Sequence, residues 1–272
     1  IDIVISLSDN KYCFGIIDYY NGNVLLSWKI LVKHNNVNYT CTLLVRYLKN
    51  SLQLNTRSFF HLDDGYFYHN PEFNNFPLVT YGTLKQYTNV VLIPDWYFMT
   101  TYGFSTSAQD NVSWSDKISQ AYWVGTCNSF LCKNRNIYDE PRTKLTLMSN
   151  ELLNAKFTGF VHPFNKSDLF EKDHVIVKDY VPFSTHFSYK YIISISGMIC
   201  SWNLFEKLRT NSVVLKVESL DYQWYYHKLV PFEHYIPVKC DLSNLYEMIK
   251  WCMDNDNECQ KIVHNANILC ES

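Results

Sequence analysis

The chain has 272 residues, enough for one large domain or two small ones with ample core. Hydrophobic residues make up 47%, aromatics 17% and charged residues 18%, a balance that excludes an intrinsically disordered chain. The formal net charge of −2 gives no basic field for gathering nucleic acid or an acidic membrane, and no apolar run approaches the ~20 residues of a membrane span.

Nine cysteines, an odd number, lack the paired C-x-x-C spacing of a zinc site. They read as reduced thiols and favour a reducing, cytoplasm-like compartment; a secretory lumen stays open if a leader precedes Ile1. The 21 tyrosines offer flat apolar faces suited to stacking on bases and sugars, although compositional drift produces the same count.

In chain order, short apolar runs alternate with polar turns through the first fifty residues, and Asn21-Gly22-Asn23 signals a hairpin. Residues 41–54 carry leucines at near-helical spacing. Arg57–Leu62 reads as a strand ending in Asp63-Asp64-Gly65, and Val90–Ile93 as another ending in Pro94-Asp95-Trp96. Residues 100–119 turn small and polar, as a linker does. Ala121–Val124 is then a strand ending at Gly125-Thr126, and Pro141–Leu153 reads as a helix.

The last third holds the clearest pattern. The apolar run Tyr191–Ile195 stops at Ser196-Gly197 and gives way to helical spacing. The β-branched run Val213–Val217 ends at Glu218, and Tyr235–Val238 leads through Asp241 into a helix carrying Leu242, Leu245, Met248, Ile249 and Cys252 on one face. Strand, turn and helix in repetition predict a parallel sheet with its ligand at the strand C-terminal ends. The expected division is residues 1–110 and 111–272, two α/β lobes facing a central cleft.

Several residues fit such a crevice. Asp63 and Asp64, at a strand end, suit a general base, while either suits a turn cap before glycine. Ser196, Gly197, Ser201 and Trp202 combine expected helix-start amides, hydroxyls and an aromatic face, a set that welcomes a phosphate. Lys190 and Lys216 would add positive charge or stand as surface lysines. Glu218 is placed to hold a ribose or sugar hydroxyl. His234 reads as a buried histidine that satisfies backbone groups, and Asp241 as a helix cap. Asp254-Asn255-Asp256 matches D-x-D but reads as a solvated turn, so no metal is expected.

The order Y-K-Y, apolar strand, G, S-W, V-V-L-K, then H-Y-I-P-V-K-x-D-L-S resembles glycosyltransferase family 90, densely over about residues 185–265 and more thinly over 57–150. The resemblance implies a GT-B type fold of two Rossmann-like domains, an acceptor-side lobe followed by a nucleotide-sugar lobe. It implies inverting, metal-independent transfer from a UDP-sugar (glucose or xylose) to a hydroxyl on a glycan or protein. It places the catalytic base at Asp64, one slip from Asp63, and an acceptor-lining turn at Asp95 and Trp96. Ala121–Cys127 is similar to the family's donor-contacting aromatic-aromatic-R-G-S-R-T segment, which brings in Gly125 and Thr126. Val124, Cys127 and Asn203 stand where many members carry arginine, and Arg142 stands where the family has a further one. The departures keep a rival reading open, a non-catalytic nucleotide-sugar or glycan-binding module. A carboxylate-based glycoside hydrolase using Asp64 is a third.

Overall fold

The computed structural model describes residues 13–20, 23–30, 56–61, 78–95, 98, 109–128, 136–161, 180–197 and 199–271. The chain divides into two compact units: residues 1–105 with 220–226, and residues 106–219 with 227–272. Asp63, Asp64, Trp96 and the helix expected over residues 41–54 lie outside the described residues.

In the first unit, β1 (Cys13–Tyr20) and β2 (Asn23–Ile30) pair as the antiparallel hairpin that Asn21-Gly22-Asn23 signals. β3 (Thr56–His61) joins β1 antiparallel, then β4 (Leu78–Thr80) and β6 (Val90–Leu92) follow in parallel. This five-stranded sheet, ordered β2-β1-β3-β4-β6, is mixed. A second ladder pairs β5 (Gly82–Leu84) with β11 (Asp221–Gln223), a strand returned from far along the sequence.

The second unit is built on five parallel strands: β7 (Ile118–Cys127), β8 (Leu153–Phe160), β9 (Tyr189–Ser194), β10 (Val213–Val217) and β12 (Ile236–Val238). Their spatial order is β12-β10-β9-β7-β8. Counted within the unit this is 2-1-3-4-5, a doubly wound order that reverses direction between β7 and β9. The parallel sheet expected from the last third is present. The central strand β9 reads as a continuous apolar run because both of its faces are covered: Tyr191, Ile192, Ile193 and Ser194 are all buried.

Among the described residues, four α-helices of the second unit have defined bounds, in chain order α1 (Pro141–Leu147), α2 (Leu204–Leu208), α3 (Leu245–Asp254) and α4 (Asp256–Glu271). The helical reading of Pro141–Leu153 is thus half right. Ser149 Oγ donates to Ala155 O and accepts from Ala155 N, and Asn150 Oδ1 accepts from Leu152 N. Those side chains close a turn in competition with the helix, and β8 begins at Leu153. α3 buries Leu245, Ile249 and Cys252 against the core, as its spacing predicts. It starts three residues later than expected, however. Asp241 accepts from Ser243 N and caps a turn, Leu242 has φ 64°, and the helix N-cap is Asn244.

The entry to the second unit is fixed by a buried ion pair. Lys117 Nζ lies 2.8 Å from Asp110 Oδ2 and also donates to Phe187 O. The same carboxylate accepts from the Asn211 and Val112 amides. Removing one partner strands a desolvated charge, so Asp110→Ala is expected to destabilise the chain by about 3–5 kcal/mol, read by urea denaturation.

Among the described residues, no helix is long and apolar enough to cross a membrane. The cysteines Cys127, Cys200, Cys240, Cys252, Cys259 and Cys270 are free thiols.

Candidate functional site

In a doubly wound sheet, ligands sit beyond the strand C-terminal ends at the point where strand order reverses. Here that point is the gap between the ends of β7 and β9, and Arg142 spans it. Pro141 fixes the first turn of α1, which sets Arg142 one residue in. The guanidinium donates from Nη1 to Thr126 O (3.0 Å) and Asn128 Oδ1 (2.5 Å), from Nη2 to Ile195 O (3.1 Å), and from Nε to Ser196 O (3.1 Å). It also lies over the ring of Trp123, 5.6 Å from the centroid. Burial pulls its pKa down to about 10, which leaves it charged at neutral pH.

Gly197 is shaped to this arrangement. A methyl group there would lie 2.7 Å from Nη2 of Arg142 and would also collide with Asn128 Oδ1. Gly197→Ala is therefore expected to push the guanidinium off its carbonyls, lowering stability by about 1–3 kcal/mol, as overpacking does. Thermal denaturation checks it. Gly125 is similarly crowded, with Trp123 Cζ2 2.6 Å from a would-be Cβ. Gly125, Thr126, Arg142, Ser196 and Gly197 thus converge on one place.

Ser201, Trp202 and Asn203 lie in the loop that follows. The helix expected to begin at Ser196-Gly197 begins only at Leu204, because Arg142 holds the Ile195 and Ser196 carbonyls that an early helical turn would need. Ser201 O accepts from Leu204 N, and Ser201 Oγ donates to Asn203 Oδ1. The helix N-cap is Asn203, so the helix-start amides run from Asn203 onward and do not include Gly197. Glu218 is exposed just past β10, its amide bonded to Val238 O.

Other candidates fall elsewhere. Lys190 sits at the opposite end of β9, 2.7 Å from Asp256 Oδ1 and 5.0 Å from the centroid of Trp114. Asp256 opens α4 and accepts from Trp114 Nε1, so its reading as a solvated turn gives way to that of an anchor at a helix start, where a carboxylate is favoured. Asp95 Oδ1 accepts from Phe98 N in the first unit. Buried His234 accepts from Val230 N through Nδ1, the backbone-satisfying role expected of it.

Sequence reasoning missed Lys207, which is 1% exposed and donates 2.8 Å to Ile193 O. The signal was present: Leu204, Lys207 and Leu208 share one face at i, i+3, i+4, so the lysine lies on the stripe that packs inward. Desolvation, with Arg142 nearby, lowers its pKa to about 7. Between that value and the ordinary 10.5, the unfolded chain binds more protons than the folded one, so folding stability rises with pH across the window. Lys207→Met is expected to flatten that rise, measured by denaturation at pH 7 and pH 9.

A parallel sheet in this strand order, with Arg142 and Lys207 at its reversal, defines a doubly wound α/β protein. Residues 60–271 match the model of glycosyl transferase family 90, and the chain belongs to that family. It is similar to protein O-glucosyltransferase 2 of Danio rerio, 35% identical over 149 residues (55% of this chain, 28% of that protein). It is also similar to protein O-glucosyltransferase 3 of Rattus norvegicus, 30% identical over 167 residues (60% and 30%). An uncharacterised protein, 179R, of Invertebrate iridescent virus 6 is 34% identical over 131 residues (46% and 10%). The chain spans less than a third of the length of the two O-glucosyltransferases it matches.

Proposed function

We propose that the protein transfers a hexose or pentose, glucose or xylose, from a UDP-sugar to a hydroxyl on a glycan or protein, with inversion and without a metal ion. The observation that carries this reading is the Arg142 cluster at the β7–β9 reversal, in a chain whose family membership covers both of those strands. The two units then act as the lobes of a GT-B type fold, the second holding the donor and the first, with Asp95 and Trp96, the acceptor.

The Arg142 guanidinium keeps the ends of β7 and β9 in one geometry and leaves one Nη2 hydrogen uncommitted beside Gly197. The donor diphosphate lies against this cation and the Ser201–Asn203 loop at the start of α2, which stabilise the charge developing on the leaving group. Trp202 offers a ring face to the base or sugar, and Glu218 holds a ribose hydroxyl. Asp64 takes the proton from the acceptor hydroxyl, which attacks the anomeric carbon on the face opposite the diphosphate. Holding both substrates in line supplies much of the remaining acceleration.

A second reading, a binding module without turnover, is favoured by one observation. Four of the five guanidinium N–H groups of Arg142 already serve protein acceptors, and Val124 and Cys127 contribute no cation beside it. Calorimetric titration of UDP, UDP-glucose and UDP-xylose, with and without EDTA, separates the readings when paired with an assay for UDP release. Binding unaffected by EDTA together with UDP release supports the transferase. Binding without release, under any acceptor tried, leaves a nucleotide-sugar module; absence of binding defeats the UDP-sugar transferase and moves a glycan-binding module ahead.

A further inference from the structure

Two cations meet at the end of β9, with Glu206 acting on Lys207 only at a distance and no ion pair to either among the described residues. Lys207 donates to Ile193 O from one side, and Arg142 donates to Ile195 O and Ser196 O two and three residues on. At a strand rise of roughly 3.3 Å per residue, the two charges hold carbonyls only about 7 Å apart. Among the described residues, every hydrogen-bond acceptor of either cation is a main-chain carbonyl or the Asn128 amide oxygen, and neither makes an ion pair. Charges withdrawn from water are ordinarily paired with an opposite charge. The lysine is the more exceptional of the two, because it is fully enclosed and has one acceptor for three potential donors.

We propose that Lys207 is a positioning residue of the donor site, which takes up a proton from solvent when a diphosphate enters at the C-terminal end of β9. This rests on the nucleotide-sugar reading above. The entering anion supplies the missing negative charge and so favours the ammonium form. The ammonium in turn fixes the Ile193 carbonyl and, with Arg142, the strand end on which the donor lies. Lys207 touches the strand and not the substrate, so its effect falls on donor affinity and geometry.

The charged groups that act on Lys207 are Arg142 from α1 and Glu206 on its own helix, and Lys207 acts in turn on His186 from the turn before β9; Lys216 lies on β10, and Arg209 acts on Cys270 of α4. His186 is held neutral, its pKa pushed down to about 3 by burial and by Lys207, and Cys270 is pushed up to about 12. Neither competes for a proton near pH 8. Lys207, at about 7, is mostly neutral there and has a proton to gain.

The test is calorimetry of UDP binding at pH 8 in buffers of different ionisation enthalpy, which counts protons taken up per site. The wild-type chain is expected to take up about 0.5–0.9 proton, with UDP affinity falling about tenfold from pH 7 to pH 9. Lys207→Arg keeps a charge that does not titrate in this range, so it binds UDP with no uptake. Lys207→Met binds more weakly, also with no uptake, while Lys216→Met retains the uptake. UDP binding without proton uptake in the wild type, or uptake that survives in Lys207→Arg, overturns the proposal and leaves the donor reading intact. No UDP binding at any pH overturns both.

Discussion

Arg142→Met is expected to lower the stability of the chain by about 3–5 kcal/mol and to weaken UDP binding at least tenfold. The side chain serves four acceptors, three of them carbonyls of Thr126, Ile195 and Ser196 that end two adjacent strands. Each acceptor stripped of its donor costs about 1–3 kcal/mol where water cannot replace it, and the partly exposed rim recovers some of the sum. Methionine keeps much of the stem volume over Trp123, so the loss measures the fork and not a cavity. Arg142→Lys is expected to rescue little, since one ammonium cannot span carbonyls on both strands. Denaturation followed by tryptophan fluorescence reads the first effect and calorimetry the second. A variant as stable as wild type would remove Arg142 from the centre of the account.

Asp64→Asn is expected to cut sugar transfer by about 10²–10⁴-fold with UDP affinity unchanged, the range general-base catalysis supplies. The amide keeps the shape of the carboxylate and removes its basicity. Asp63→Asn, one position away, should cost far less if Asp63 caps the turn before Gly65. Steady-state rates at saturating UDP-sugar distinguish the two. Equal losses in both variants would point to a shared structural role for the pair and would reopen the choice of base.

The second unit was largely legible in the sequence because its strands β9 and β10 are buried on both faces. Tyr191–Ile195 and Val213–Val217 are unbroken apolar runs, and such runs followed by a turn and helical spacing have few other readings. β8 was missed although Leu153, Ala155 and Phe157 alternate with Asn154, Lys156 and Thr158 as a half-buried strand does, because its first residue reads as the end of the preceding helical pattern. Strands of three residues such as β4, β5 and β11 are too short to show a period, and β11 pairs with a partner nearly 140 residues away.

The candidate site divides the same way. Gly197 stands out as the residue that ends an apolar strand, and the structure gives its reason in the guanidinium packed against it. Arg142 was visible only as a charge near a helix start, because nothing in one dimension shows that it bridges two strand ends 16 and 53 residues away. Lys190 was misleading for a related reason. It lies on the right strand but at the wrong end, and strand polarity against the sheet decides which end faces a ligand.

Hydrogen exchange with and without saturating UDP tests the central claim most directly, that the β7–β9 reversal is the donor site. The account predicts slowed exchange at residues 125–128, 195–197 and 199–203, and loss of that protection in Arg142→Met. Protection confined to other parts of the chain, with these amides unchanged while UDP is bound, would contradict it.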